Sequence, residues 1–176
     1  MNLKALIIIS FIMLQGCAIN PNSNQITAQQ FEQSISISTD NYTKITTLEG
    51  PKLFPGGLNN YFLVRAFKSH KNQEIMYQIY INVTYYGDWI NFNSAFDNRG
   101  TQLNTDVIKK NVSSCIASTG KCILNEVVTI NMTLDEFESN MASGIDFQIS
   151  GQGGSRKYFI PPNYIQAFVY KLNSLN

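Results

Sequence analysis

The residue types that carry chemistry are thinly spread in this chain. One histidine, three cysteines and 12 acidic side chains are distributed over 176 residues. Serine hydrolysis needs a nucleophile, a base to take its proton and an acid to orient that base. Serines abound, but the sole imidazole, His70, lies in Lys68-Ser69-His70-Lys71-Asn72. That hydrophilic stretch reads as an exposed turn. Gly151-Gln152-Gly153-Gly154-Ser155-Arg156 is rich in glycine, yet it lacks the Lys-Ser/Thr pair that a phosphate-cradling loop sets before a helix. It joins two strand-like runs and reads as a hairpin loop. Asp88, Asp97 and Asp106 do not have the spacing of a calcium loop. Asp135, Glu136 and Glu138 follow Thr133, a placement explained by the favourable field at a helix N-terminus. Among the remaining groups, Tyr80, Tyr86 and Trp89 are the candidate binding patch. Such amphipathic rings beside polar side chains can stack on a sugar or anchor an interface, or simply fill a second packing layer. These patterns give no catalytic residue, no metal site and no cofactor motif.

Cys17 has a different character. It stands behind a short positive start, Met1-Asn2-Leu3-Lys4, and an apolar run from Ala5 to Leu14. A bilayer-spanning helix needs about 20 apolar residues, so this run is too short to remain as a span and has the length of a secretory core segment. Leu14-Gln15-Gly16-Cys17 resembles the lipobox of bacterial lipoproteins. The resemblance implies a diacylglycerol on the Cys17 sulfur, cleavage between Gly16 and Cys17, and a further acyl chain on the new amino group. Each buried methylene contributes about 0.8 kcal/mol, and two or more chains hold a protein durably at a bilayer. Residue 18 is Ala and not Asp. By similarity to enterobacterial lipoproteins, that favours the outer membrane, with the protein facing the periplasm.

With Cys17 assigned to lipid, Cys115 and Cys122 remain as an even pair. An oxidising periplasm favours a disulfide between them, and Ser118-Thr119-Gly120 supplies a reversal. Zinc is the rival reading, but it wants four ligands and His70 is distant in sequence.

The elements that must position these residues read mainly as strands. Residues 1–16 are the expected signal peptide, 17–26 a lipidated tether and 27–176 one β-rich domain. Ser34 to Ser38 alternates, Tyr42 to Thr47 does so loosely, and Tyr61 to Phe67 is densely apolar. In Ile75 to Tyr86, the face Ile75, Tyr77, Ile79, Ile81, Val83, Tyr85 is apolar and the other is mixed, as a half-buried strand requires. Ile90 to Phe96, Leu103 to Val112 and Cys122 to Met132 continue the pattern, and Ile145 to Ile149 with Lys157 to Ile160 make a hairpin. A helical turn is expected near Thr27 to Gln33. Thr133-Leu134-Asp135-Glu136 is a capping box, and Pro161-Pro162 opens a segment with apolar residues at helical spacing. The expected fold is a single β-sandwich or barrel-like domain with one or two short helices, including a C-terminal one.

From Tyr61 onward the order of elements is similar to that of a set of uncharacterised β-rich envelope lipoproteins. The pieces that carry the similarity are Tyr86-Gly87-Asp88-Trp89, Cys115 and Cys122 flanking a turn, Glu126, and Ile160-Pro161. It implies a β-rich domain on a lipid anchor and brings no activity with it. The charges nearly balance, 13 Lys+Arg against 12 Asp+Glu, so a nucleic-acid partner is not expected. The functional expectation is binding or scaffolding of an envelope protein or polymer. A glycan or small-ligand module and an envelope hydrolase are the alternatives.

Overall fold

The computed structural model describes residues 26–57 and 59–175. The chain is mainly β. Nine strands follow one another as β1 (Ser36–Asp40), β2 (Ile45–Glu49), β3 (Tyr61–Ser69), β4 (Ile75–Gly87), β5 (Phe92–Asp97), β6 (Gln102–Ile116), β7 (Lys121–Met132), β8 (Ile145–Gly151) and β9 (Gly154–Ile160). They form one antiparallel sheet in the order β1-β2-β3-β4-β7-β6-β5-β8-β9. The sheet does not close into a barrel. It folds back on itself, so that the Phe62 ring of β3 meets Phe147 of β8 at 6.4 Å and Tyr158 of β9 at 5.3 Å. The two arms enclose a core in the manner of a sandwich.

Side-chain alternation sets that core. Tyr77, Ile79, Ile81 and Val83 of β4 are fully buried, as are Val128 and Ile130 of β7. They face Phe92, Ala95, Phe147, Ile149 and Ile160 from the other arm in one cluster. Burying such side chains contributes about 1.5–3 kcal/mol each, enough to fix the register, because a one-residue slip would turn every one of them outward.

Among the described residues, three short helices pack their apolar side chains into the same core. α1 (Ala28–Gln33) is capped by Thr27 and Gln30, and α2 (Leu134–Glu138) by Thr133 and Glu136, each as a reciprocal capping box. α3 (Pro162–Asn173) starts on a proline, whose fixed φ and missing N–H suit a first helical turn. Its Tyr164 ring packs edge-on against Phe31 of α1 at 4.8 Å, while Phe137 of α2 stacks on Tyr77 at 4.1 Å. The Tyr164 hydroxyl donates to the Pro51 carbonyl at 2.9 Å and accepts from the Val64 amide at 3.3 Å. Gly50 makes room for it, since a Cβ there would sit 2.1 Å from the Tyr164 oxygen.

Candidate functional site

Two constellations stand out from this frame, one inside the fold and one on its outer face. The inner one centres on Glu126. Alternation places this residue in the core-facing row of β7, between Leu124 and Val128, and it is 0 % exposed. A carboxylate taken out of water costs several kcal/mol unless its oxygens are satisfied. Here they are. One oxygen accepts from the amides of Ile90 at 3.1 Å and Asn91 at 2.9 Å and from the Tyr85 hydroxyl; the other accepts from the Phe92 amide at 2.9 Å. The same Tyr85 oxygen lies 2.8 Å from the Ile90 amide. Burial, then the hydrogen bond to Glu126, pushes the Tyr85 phenol up to about 12.

The three amides belong to the connection between β4 and β5, the point at which the chain leaves one arm for the other. Asn91 is held there with φ 59°, a conformation that costs a non-glycine residue energy and therefore needs external support. The β8–β9 hairpin closes the connection from the opposite side. A Cβ on Gly151 would lie 2.5 Å from the Ile90 and Asn91 carbonyl oxygens, and one on Gly153 would lie 2.9 Å from the Ile90 Cα. The Gly153 amide donates to the Ile90 carbonyl at 3.0 Å. The glycine run is thus a close-packing surface for another stretch of backbone. Lys110 of β6 adds a 2.7 Å bond to the Asn91 side chain. With four donors on two oxygens, Glu126 acts as a clamp on the arm-to-arm crossing.

The outer constellation lies on β3, β4 and the connection that leads into β3. Phe54, 59 % exposed, meets Tyr61 at 6.3 Å, and Tyr61 stacks on Tyr80 at 6.1 Å. The register explains the pairing, because Leu63 lies opposite Tyr80, so that Tyr61 is its diagonal neighbour on the same face. Two cations flank the rings: Lys52 Nζ lies 4.4 Å from the Tyr61 centroid and the Arg65 guanidinium 4.4 Å from that of Tyr80. Such contacts contribute roughly 0.5–1 kcal/mol at exposed sites. Burial, then the neighbouring Tyr61, raises the Tyr80 phenol above its ordinary value. Arg65 also donates to Gln78 at 2.5 Å, Gln78 to Asn131 at 2.9 Å, and Asn131 to Asp106 at 2.7 Å. This polar ladder crosses four strands beside the aromatic strip.

Comparison of the chain with family models, curated proteins and solved structures finds no match.

The structure separates the residues that the sequence grouped as one aromatic patch. Tyr80 and Tyr86 do share the mixed face of β4, but six residues of strand hold them about 20 Å apart. Tyr80 joins Tyr61, a residue that the sequence pattern did not single out. Tyr86 lies near the disulfide hairpin, where its hydroxyl is 2.9 Å from Thr119 Oγ1 and Lys121 Nζ is 5.8 Å from its ring. Trp89 is half-buried within the clamped connection. Cys115 and Cys122 are disulfide-bonded and face each other across the β6–β7 ladder. Gly16 and Cys17 lie outside the described residues. His70 Nε2 lies 2.7 Å from the Thr46 hydroxyl, itself 2.8 Å from that of Thr39, so the imidazole ties a turn to the first two strands. Among the described residues, clefts open at the surface. One, of about 370 Å³, is lined by Leu53, Phe54, Phe62, Tyr158 and Phe159; another, of about 590 Å³, by Asp97, Arg99, Asn131, Glu136 and Asp146 among others. Among the described residues, no group of three His, Cys, Asp or Glu side chains could hold a metal ion.

Proposed function

We propose that this protein is a lipid-anchored binding protein of the bacterial envelope, held to a membrane through Cys17 and binding a partner with its outer sheet face. The observation that supports binding is the Phe54–Tyr61–Tyr80 strip, in which exposed and half-exposed rings lie in a row with Lys52 and Arg65 against them. The Tyr61 and Tyr80 rings, set on paired strands, offer rigid, amphipathic area that loses little entropy on contact. The supports for anchoring are the apolar leader and the Leu14-Gln15-Gly16-Cys17 motif. On this reading the lipid faces the periplasm from the outer membrane, and the domain catalyses nothing.

The strip favours one class of partner, an envelope glycan. Aromatic faces bordered by amides and cations suit sugar rings bearing hydroxyl or acidic groups. Co-sedimentation of the lipidated protein with isolated cell-wall glycan tests this. Tyr61→Ala and Tyr80→Ala should each weaken co-sedimentation about tenfold while the disulfide stays intact; equal binding by both variants refutes the strip as the binding surface. Anchoring is tested separately by labelling with a radioactive fatty acid. The wild type should take up label and Cys17→Ser should not; label retained on Cys17→Ser refutes the lipid assignment.

A further inference from the structure

The second interaction surface is the long strand β6. Gln102 and Leu103 pair with β5 on one side, and from Asn104 to Ile116 the strand pairs with β7 on the other. Beyond Leu103, the β5 register ends and no described strand is paired with the side turned away from β7. Exposed apolar side chains line this segment: Val107 at 45 %, Ile108 at 55 %, Val112 at 48 % and Ile116 at 45 %. An unpaired edge of this length presents a row of free amides and carbonyls that invites another strand.

We propose that this edge pairs with the same edge of a second copy, antiparallel about a two-fold axis between Val107 and Ile108. The charges and the bulges select that register. Ile108 is the extra residue of a bulge against β7, so the alternation of faces slips by one across it. Asn104 and Asp106 before the bulge therefore share the outer face with Lys109 and Asn111 after it. Centring the axis at the bulge sets Asp106 opposite Lys109 of the second copy, twice by symmetry. It also sets Thr105 opposite Lys110, Asn104 opposite Asn111 and Val107 opposite Ile108. An axis through Lys110 would set that lysine against its own copy, and cross-strand like charges are destabilising. The lysines thus select the register by penalising that alternative. Asn131 contacts only one Asp106 oxygen, Oδ2, and the other is the one offered to the second copy. The next bulge, between Val112 and Ser114, falls where the incoming strand reaches the Leu103–Ala95 pairing and has to bend away.

A two-fold axis normal to the sheet keeps the inner faces of both copies on one side. The chain enters on that side, since the Asn163 amide of α3 donates to the Ile26 carbonyl and α3 covers the inner face. Two copies joined in this way can therefore hang from one surface, where confinement raises their effective concentration.

Charge reversal decides the matter in the full-length protein, purified in detergent and studied by sedimentation equilibrium. The wild type should self-associate. Asp106→Lys sets lysine against Lys109, and Lys109→Asp sets aspartate against Asp106, so each alone should weaken association on the order of tenfold or more. Mixing the two single variants should restore it, because every cross-pair in the mixed dimer is then opposite in charge. Circular dichroism and thermal melting of each variant alone establish that both are folded before mixing, and the readout does not depend on lipid or on the aromatic strip. A wild type that is monomeric at every concentration tested, or a mixture no tighter than its components, overturns the proposal.

Discussion

Replacing Glu126 by alanine should cost this domain a large part of its stability. The side chain is wholly buried and accepts hydrogen bonds from the Ile90, Asn91 and Phe92 amides and the Tyr85 hydroxyl. Alanine removes the acceptor of the Asn91 and Phe92 amides and of the Tyr85 hydroxyl, while the Ile90 amide keeps the Tyr85 oxygen. A buried polar group left unsatisfied costs about 1–3 kcal/mol, and more than one of these donors is left so. The strained backbone at Asn91 loses its support at the same time. We therefore expect a loss of about 4 kcal/mol in urea denaturation, against a total of about 5–15 kcal/mol for a domain. Glu126→Gln keeps the shape but turns one acceptor into a donor that faces an amide. It should lose roughly 2 kcal/mol, and hydrogen exchange at residues 90–92 should speed up in both variants before exchange elsewhere in the core. A Glu126→Ala loss below about 1 kcal/mol, the typical net worth of one hydrogen bond, would sink the idea that this carboxylate holds the crossing.

Cys115→Ser should lower stability by about 2.5 kcal/mol, the chain-entropy value for so short a loop, and leave membrane attachment as in the wild type; denaturation and cell fractionation check both. Gly50→Ala drives a methyl into the Tyr164 and Phe168 rings and should cost about 1–3 kcal/mol as an overpacked site, read by urea denaturation. Burial raises Tyr85 and Tyr158 to about 12. A phenol that holds its proton more tightly when folded contributes stability that is complete below its unfolded value near 10 and disappears as pH rises toward 12. Thermal unfolding followed between pH 8 and pH 12 should show the melting temperature falling only above about 10.

Local pattern made most of the elements legible. The period-two run from Ile75 to Tyr86 placed β4 and its buried face, and Thr133 with Glu136 placed α2 by its cap. The partners of those elements were not legible, because pairing is set by packing between distant segments. β5 lies beside β8 and the start of β6, and not beside β4, which precedes it in the chain. The aromatic strip depends on the same information, since only the β3–β4 register brings Tyr61 to Tyr80. Glu126 did leave a trace: a lone acid in the row Leu124, Glu126, Val128, Ile130, otherwise apolar, must find donors or be excluded. Those donors are backbone amides, which every residue type except proline carries, so composition could not point to them.

The Tyr164 hydroxyl joins α3 to Val64 of β3, 100 residues earlier, and Asn163 reaches back 137 residues to Ile26. Contacts of such sequence separation close large loops and slow the approach to the native state. The contact between α1 and α3 is of this kind, so both helices are secured late, when the two ends of the described fold have come together. Cutting the chain after α2 should therefore leave the sheet without its last closing contacts, and not merely shorten it.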